Sequence, residues 1–460
     1  MRSRPNDAIG VDDALEHIER LRHGETLTTE WASAVLDLYQ TGRLADYQLS
    51  AWLATIAARG LRFTETVALT KAYLGPAVRE RGAVPRNGRT VVDKHSTGGI
   101  GDKTTLVVVP LVAALGVRVC KLSGRGLGIA GGTIDKLESV PGLKLEFTAS
   151  ELATRLAADD VVIGSFSDAL VPGDTATYDL RSVSGCVRSA PLIAASIVSK
   201  KVAVNADAVV FDVRYGAGAL LDDRTSARRL AGLLVRLGGA FGLRCRAVLS
   251  DGSVPLGTAV GNAAEVDEAV EFLRGTGDRR LRAECEAIAV QMVRVTEPGE
   301  PEHRIRERLR SAIESGTALS MFVRMLESQG GDAGPVLGGG GYCTPRARTA
   351  VLARDTGWVT DISALDIGRA ALKLGAGKVR ADDVIDPNAG IRLIRRLGER
   401  VAEGDVVAEV LHDGPDVGDA VALVSRAVSV GRREDCREPG EPEPLSEEDV
   451  RTDETGTVHV

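Results

Sequence analysis

Thr90–Leu115 reads TVVDKHSTGGIGDKTTLVVVPLVAAL. A short strand, Thr90–Val92, runs into a polar, glycine-rich loop, and an apolar helix follows over Thr104–Leu115, kinked or restarted at Pro110. Strand, glycine loop and helix in that order form one βα unit. The pattern recurs downstream: VRVCKLSGRGLG is again a strand ending in a glycine loop, and VVIGSFSD, DAVVFDVRYGAG and RCRAVLSD add further strands between helical stretches. Alternating βα units predict an α/β domain built on a mostly parallel sheet with helices on its faces.

Upstream the pattern is purely helical. DDALEHIERLRHG, TTEWASAVLDLYQTG, DYQLSAWLATIAARG and FTETVALTKAYLG are four helical segments, with Thr28 or Thr29 as a cap and Gly24, Gly42 and Gly60 as stops. A second helical stretch, about Thr175–Lys201, interrupts the βα series and needs a partner, which the N-terminal helices supply. Residues 1–75 with 172–203 therefore read as a small all-α domain, and 80–171 with 204–340 as the larger α/β domain. Residues 345–431, with short strands joined by glycine turns, read as a C-terminal α+β domain. Residues 432–460 are acidic, carry prolines and hold few apolar side chains, a composition that predicts disorder.

Of the 460 residues, 44% are hydrophobic and 26% charged, enough to bury a sizeable core. With 57 Lys+Arg against 64 Asp+Glu, the net charge of −7 argues against nucleic acid as a partner but leaves room for a local anion site. Six cysteines, none in a CxxC pair, fit reduced thiols rather than a zinc or disulfide framework. The first twenty residues lack an apolar leader segment, and Leu106–Leu115 is too short for a bilayer, so a soluble, cytoplasmic protein with no membrane partner is expected.

Three segments carry chemistry. Asp93–Thr105 places Lys94, the hydroxyls of Ser96, Thr104 and Thr105, and glycine-freed backbone N–H groups at the start of a helix, which suits an anion. Asp102 splits the Gly-Lys pair that a P-loop needs, so this is not one. An ordinary βα turn would need fewer polar groups. Ser123–Asp135 satisfies GxGxxG at Gly126, Gly128 and Gly131, but the acidic residues Asp135 and Glu138 come too soon to bind a dinucleotide ribose. In the third segment, YDLR (Tyr178–Arg181) precedes SIVSKK, where Ser196 and Lys200 at i and i+4 share a helix face. With Arg181 they make a donor-rich patch, although spacing alone fits a solvated basic helix end equally well.

Together, DKHSTGGIGD, SGRGLGIAGGTIDKLES and YDLR with SIVSKK resemble the thymidine/pyrimidine-nucleoside phosphorylase family, and the likeness extends over nearly the whole chain. The resemblance implies homodimers that need no cofactor and use inorganic phosphate as co-substrate, splitting uridine- or thymidine-type nucleosides into free base and (deoxy)ribose 1-phosphate. It assigns Lys94, Ser96, Thr105, Ser123 and Thr133 to phosphate, and Lys121, Leu127, Tyr178, Arg181, Ser196, Ile197 and Lys200 to base and sugar, with His95, Arg181 and Lys200 catalytic. Some members also hold a monovalent cation such as K+. Its ligands here would be backbone groups of Gly101, Lys103, Leu256 and Ala259 and the Glu268 carboxylate.

The chain departs from the family at Ser182–Arg188, at Ile129-Ala130 and at Leu220, all on the base and sugar side. A modified pyrimidine nucleoside as substrate, or a non-catalytic nucleoside-binding paralogue, are the alternatives these departures leave.

Overall fold

The computed structural model describes residues 9–81, 89–126, 129, 131–165, 170–378, 383–414, 416–452 and 458–459. Helices α1 (Val11–Arg22), α2 (Thr29–Gln40), α3 (Asp46–Arg59) and α4 (Phe63–Arg81, kinked at Gly75) open the chain. Thr28 caps α2 by accepting from Trp31 N at 3.3 Å. Their apolar stripes, with Leu21, Val35, Leu49, Trp52 and Tyr73 at zero exposure, form one core together with Val171, Leu192 and Ala195 of the later helical segment.

The βα series follows as β1 (Val91–Ser96), α5 (Thr104–Ala113), β2 (Arg118–Ser123), α6 (Thr133–Leu137), α7 (Ala149–Asp159) and β3 (Val161–Ser165). Helices α8 (Pro172–Val183) and α9 (Ala190–Ala203) then lead to β4 (Ala208–Tyr215), α10 (Arg224–Ala240) and β5 (Arg244–Asp251). The strands lie in the order β5-β4-β1-β2-β3, all parallel. The chain winds outward from β1 through β2 to β3, then crosses back to the other side of β1 for β4 and β5. Its winding therefore reverses between β1 and β4, and in open α/β sheets ligands bind at the carboxyl ends of strands at such a point.

Strand periodicity divides the domain into two cores. Val92, Val119, Ile163, Val210 and Val248 face α5 and its neighbours α11 (Asn262–Leu273), α12 (Arg279–Arg294), α13 (Glu302–Glu314) and α14 (Thr317–Ser328). Val91, Leu122, Val162, Phe211 and Leu249 face α9 and α10. The α5 core runs without polar interruption from Leu106 to Val112, and Pro110 sits inside the helix with no exposure of its neighbours.

The C-terminal unit has two antiparallel sheets. The strand β6 (Ala259–Val260), contributed from before α11, pairs with β9 (Gly390–Leu393), followed by β11 (Val406–His412) and β7 (Ala347–Leu352). The other sheet orders β10 (Arg400–Val401), β8 (Gly357–Ile362) and β12 (Val428–Gly431).

The tail corrects the expectation of disorder, drawn for 432–460, over its described residues 432–452. Strand β13 (Glu443–Leu445) pairs antiparallel with β5 and becomes the sixth strand of the main sheet. Leu445 enters the α9–α10 core, and Glu443 is ion-paired with Arg224 and Arg228 of α10. Composition misleads here because the positive partners of Glu443 lie more than two hundred residues away. All six cysteines are free thiols.

Candidate active site

The strand alternation that divides the cores also sorts the predicted site residues. On β1, Lys94 and Ser96 follow Val92 toward the α5 side, while Asp93 and His95 follow Val91 toward α9. On β2, Lys121 and Ser123 follow Val119 on the α5 side. The two sets meet where the strands end.

On the α5 side Lys94 is fully buried, with Nζ donating to Thr104 Oγ1 at 2.6 Å and Thr105 Oγ1 at 3.5 Å and lying 3.3 Å from Asp212 Oδ2. Ser96 Oγ accepts from Gly98 N at 3.1 Å. Ser123 closes β2 beside Ser165 of β3, and Thr133 opens α6. The glycine loop before Thr133 is held by Asp135, which accepts from Gly126 N at 2.6 Å and Gly132 N at 2.9 Å. A Cβ on Gly132 would come within 2.3 Å of Gly126 N, so the loop closes only around glycine. Asp135 and Glu138 thus brace the loop, Glu138 through two 2.6 Å bonds from Arg125.

A buried cluster missed in the sequence supports this side. Arg214 on β4 is ion-paired with Asp102, Asp212 and Glu284. Burial works against the ionised form of Asp102, yet Arg214, Lys94 and Lys136 hold it well below the usual carboxylate range. Glu284 is pushed up by burial and is the carboxyl that keeps its proton most readily. The available signal was the Asp212–Arg214 spacing, i and i+2 at the end of a strand, which puts both on one face.

On the other side, α9 is clamped to β1 by a fully buried pair, Lys201 Nζ to Asp93 Oδ2 at 2.7 Å. The clamp sets Ser196 and Lys200 in place, and Lys200 Nζ donates to Ser196 Oγ at 2.9 Å. Lys200 is also ion-paired with Asp174 of α8 and lies 4.9 Å from the Tyr178 ring centre. Burial lowers the Lys200 pKa, partly offset by Asp174. Ile197 is buried beside them. Arg181 is only 6% exposed, and its Nε and Nη1 have no hydrogen-bond partner among the described residues. His95 Nδ1 is likewise buried without a partner. Burial drives the His95 pKa well below 6.5, and the charges of Lys201, Lys121, Lys200 and Lys94 push it further. His95 is therefore neutral, a hydrogen-bonding group set among cations. Buried polar atoms without partners are costly, and such groups are suited to a ligand that completes their hydrogen bonds.

Lys121 is buried, with Nζ donating to Leu122 O at 3.0 Å, and burial together with Lys201 lowers its pKa strongly. Leu127 lies outside the described residues. In the atypical Ser182–Arg188 stretch, Gly185 takes φ +72° just beyond the end of α8, Cys186 enters the helical core and Arg188 pairs with Asp222. An open hollow of about 810 Å3 between Tyr39, Tyr47 and Pro172 is lined by none of the predicted site residues.

The expected cation ligands do come together, but around a side chain. Lys103 Nζ donates to Leu256 O at 2.7 Å, Ala259 O at 2.9 Å and Glu268 Oε2 at 2.7 Å, while Gly101 O accepts from Lys103 N at 2.9 Å. Three of the oxygens that would hold an ion are thus engaged by the Lys103 ammonium.

Known proteins share this fold. The chain matches family models described as glycosyl transferase family, helical bundle domain over residues 15–75, glycosyl transferase family, a/b domain over 88–319, and pyrimidine nucleoside phosphorylase C-terminal domain over 358–431. It is 40% identical over 404 residues to the pyrimidine-nucleoside phosphorylase of Geobacillus stearothermophilus, covering 87% of this chain and 92% of that protein. It is 38% identical over 416 residues to the enzyme of the same name from Staphylococcus epidermidis, covering 90% and 96%. Among solved structures, anthranilate phosphoribosyltransferase from Thermus thermophilus shares the fold with a TM-score of 0.51 at 18% identity, over 68% of this chain and 98% of that one.

Proposed function

The chain belongs to the pyrimidine-nucleoside phosphorylase family, and from that premise we propose that it is a pentosyltransferase catalysing reversible phosphorolysis of uridine- and thymidine-type nucleosides. The observation that supports the proposal is that the end of β1 carries a fully buried lysine, Lys94, next to His95, whose buried Nδ1 has no hydrogen-bond partner among the described residues and which feels the charges of Lys121 and Lys200.

In the proposed reaction the phosphate dianion sits on the Lys94 side with Ser96, Thr105, Ser123 and Thr133. One of its oxygens attacks the anomeric carbon as the bond to the base breaks, and the bond's electron pair passes to the pyrimidine. The proton on the incoming phosphate balances the one the free base gains. Charge developing on the base oxygens is met by Arg181 and Lys200, fixed donors in a dry site. His95, held neutral, contributes an N–H bond rather than a full charge. No redox step or covalent enzyme intermediate enters this scheme.

Lys121, next to the sugar, is the proposed discriminator of ribose from 2-deoxyribose, because a site built to bond a hydroxyl rejects substrates lacking it. By family resemblance the enzyme would work as a cytoplasmic homodimer. No helix among the described residues is long and apolar enough to cross a membrane.

The test is a panel of pyrimidine ribo- and deoxyribonucleosides incubated with and without phosphate, following free base. Phosphate-dependent release from uridine or thymidine is expected. Nucleoside binding without any phosphate-dependent release would leave the non-catalytic alternative standing.

A further inference from the structure

The groups around Lys103 form a complete cation cage. Its ammonium has three N–H donors, and it meets three oxygens, Leu256 O, Ala259 O and Glu268 Oε2, at 2.7–2.9 Å. The cage leaves no slack. Lys103 has no exposure and Glu268 only 4%. The other Glu268 oxygen accepts from Thr258 N at 2.6 Å and Thr258 Oγ1 at 2.9 Å. A Cβ on Gly257 would come within 2.6 Å of that carboxylate, and one on Gly101 within 2.5 Å of Leu256 O.

The cage also joins three parts of the molecule. Lys103 is the residue immediately before α5, next to Thr104 and Thr105, the hydroxyls beneath Lys94. Leu256 N donates to Ile100 O at 3.0 Å, tying the same loop from its other end. Ala259 begins β6, which the C-terminal sheet takes up as its edge strand. The ammonium therefore fastens the phosphate loop to α11 and to the base of the C-terminal unit.

We propose that Lys103 is a built-in monovalent cation: its ammonium occupies the position that a bound K+ would otherwise take, so this enzyme holds its phosphate loop without needing a free ion. Lys103 would be a positioning residue, acting on phosphate through Thr104, Thr105 and Lys94. The phosphorylase reading is needed only for the kinetic part of the test.

Wild-type protein would be compared in tetramethylammonium, Na+ and K+ chlorides at one ionic strength, alongside Lys103→Thr, which shortens the side chain and opens the cage. For the wild type, Tm and the phosphate KM should be the same in all three salts, and thallium-205 resonance should show no bound ion. Lys103→Thr should have a lower Tm in tetramethylammonium, rising with added K+ as a ligand-stabilised fold does. Its phosphate KM should rise at least tenfold without K+ and fall back with it, while kcat changes less, a split that loss of fold alone would not give. A wild-type Tm that climbs with K+, or thallium bound to the wild type, would overturn the proposal even if the variant failed to fold. So would a Lys103→Thr protein with unchanged Tm and phosphate KM in tetramethylammonium. Absence of phosphorolysis in every sample would count against the phosphorylase reading and leave the Tm and thallium results to decide this one.

Discussion

Lys94 and His95 are adjacent on one strand and point to opposite faces, and they lead to opposite expectations. Lys94 lies among Thr104, Thr105 and Asp212, and is proposed to meet the phosphate. Replacing it with alanine removes a charge-assisted contact worth about 1.5–3 kcal/mol. The kcat/KM for phosphate should then drop by roughly 10- to 150-fold, with a much smaller change in nucleoside binding measured without phosphate. Unaltered phosphate saturation in Lys94→Ala would remove Lys94 from the anion site. His95 is neutral because burial, reinforced by Lys201, Lys121, Lys200 and Lys94, holds its native pKa well below 6.5. The unfolded chain takes up a proton near its ordinary pKa of about 6.5, and the native state does so only at lower pH. The unfolded state thus binds more protons in that interval. The stability due to neutral His95 is fully present above the unfolded pKa and is lost as pH falls below it. Melting temperatures between pH 7.5 and 5 should fall more steeply for the wild type than for His95→Asn, and parallel curves would contradict the assignment.

At the level of elements, α9 decides how the two sides of the site meet. It buries Ile193, Ile197 and Val198 in the sheet core and Leu192 and Ala195 in the helical core, and Lys201 fixes it to β1 through Asp93. Removing one partner of a buried pair leaves the other uncompensated, at a cost of about 3–5 kcal/mol. Lys201→Met should therefore lower the melting temperature by several degrees, and Lys201→Met with Asp93→Leu should recover part of the loss. No recovery in the double variant would mean that the pair is not the clamp. The elements were largely legible in the sequence, because apolar periodicity marks each one: the four opening helices and all five parallel strands lie where their patterns put them. The strand expected at Thr90–Val92 runs instead over Val91–Ser96. Asp93 to Ser96 are polar and break the apolar run, yet they extend β1 because β4 pairs with them. Of the site, the glycine loops and the SIVSKK face were readable from local spacing. The partners Lys94–Asp212 and Lys201–Asp93 were not, since each pair is more than a hundred residues apart in sequence. Lys103 shows the limit of reading by resemblance: the family likeness implies the set of cation ligands, but only the fold shows a side chain among them.

For the whole molecule, the five parallel strands of the main sheet would leave β5 as an edge. An edge strand with free N–H and C=O groups invites pairing with another chain. Here the C-terminal tail covers that edge. Arg437 N donates to Thr360 O at 2.8 Å, Gly440 N to Asp251 Oδ2 at 2.9 Å, and Cys245 N to Glu447 Oε1 at 3.1 Å, so the tail is stitched from the C-terminal sheet across to the main one. Leu445, 3% exposed, anchors it, and burying one such side chain contributes about 1.5–3 kcal/mol. Glu443, one of the acids that suggest disorder, is used instead against Arg224 and Arg228 on α10. The proposed site lies at the β1 strand end, two strands in from β5, so the tail should affect folding and solubility before it affects turnover. A chain ending at Gly431 should melt at a lower temperature in calorimetry and self-associate in light scattering as the β5 edge is uncovered, while its kcat at low temperature stays within about twofold of the full chain. The point variant Leu445→Asp separates anchor from strand: it should reproduce the lower melting temperature, because a carboxylate cannot enter the α9–α10 core without cost. A truncated chain as stable and as monodisperse as the full one would show that β13 contributes nothing to the sheet it joins.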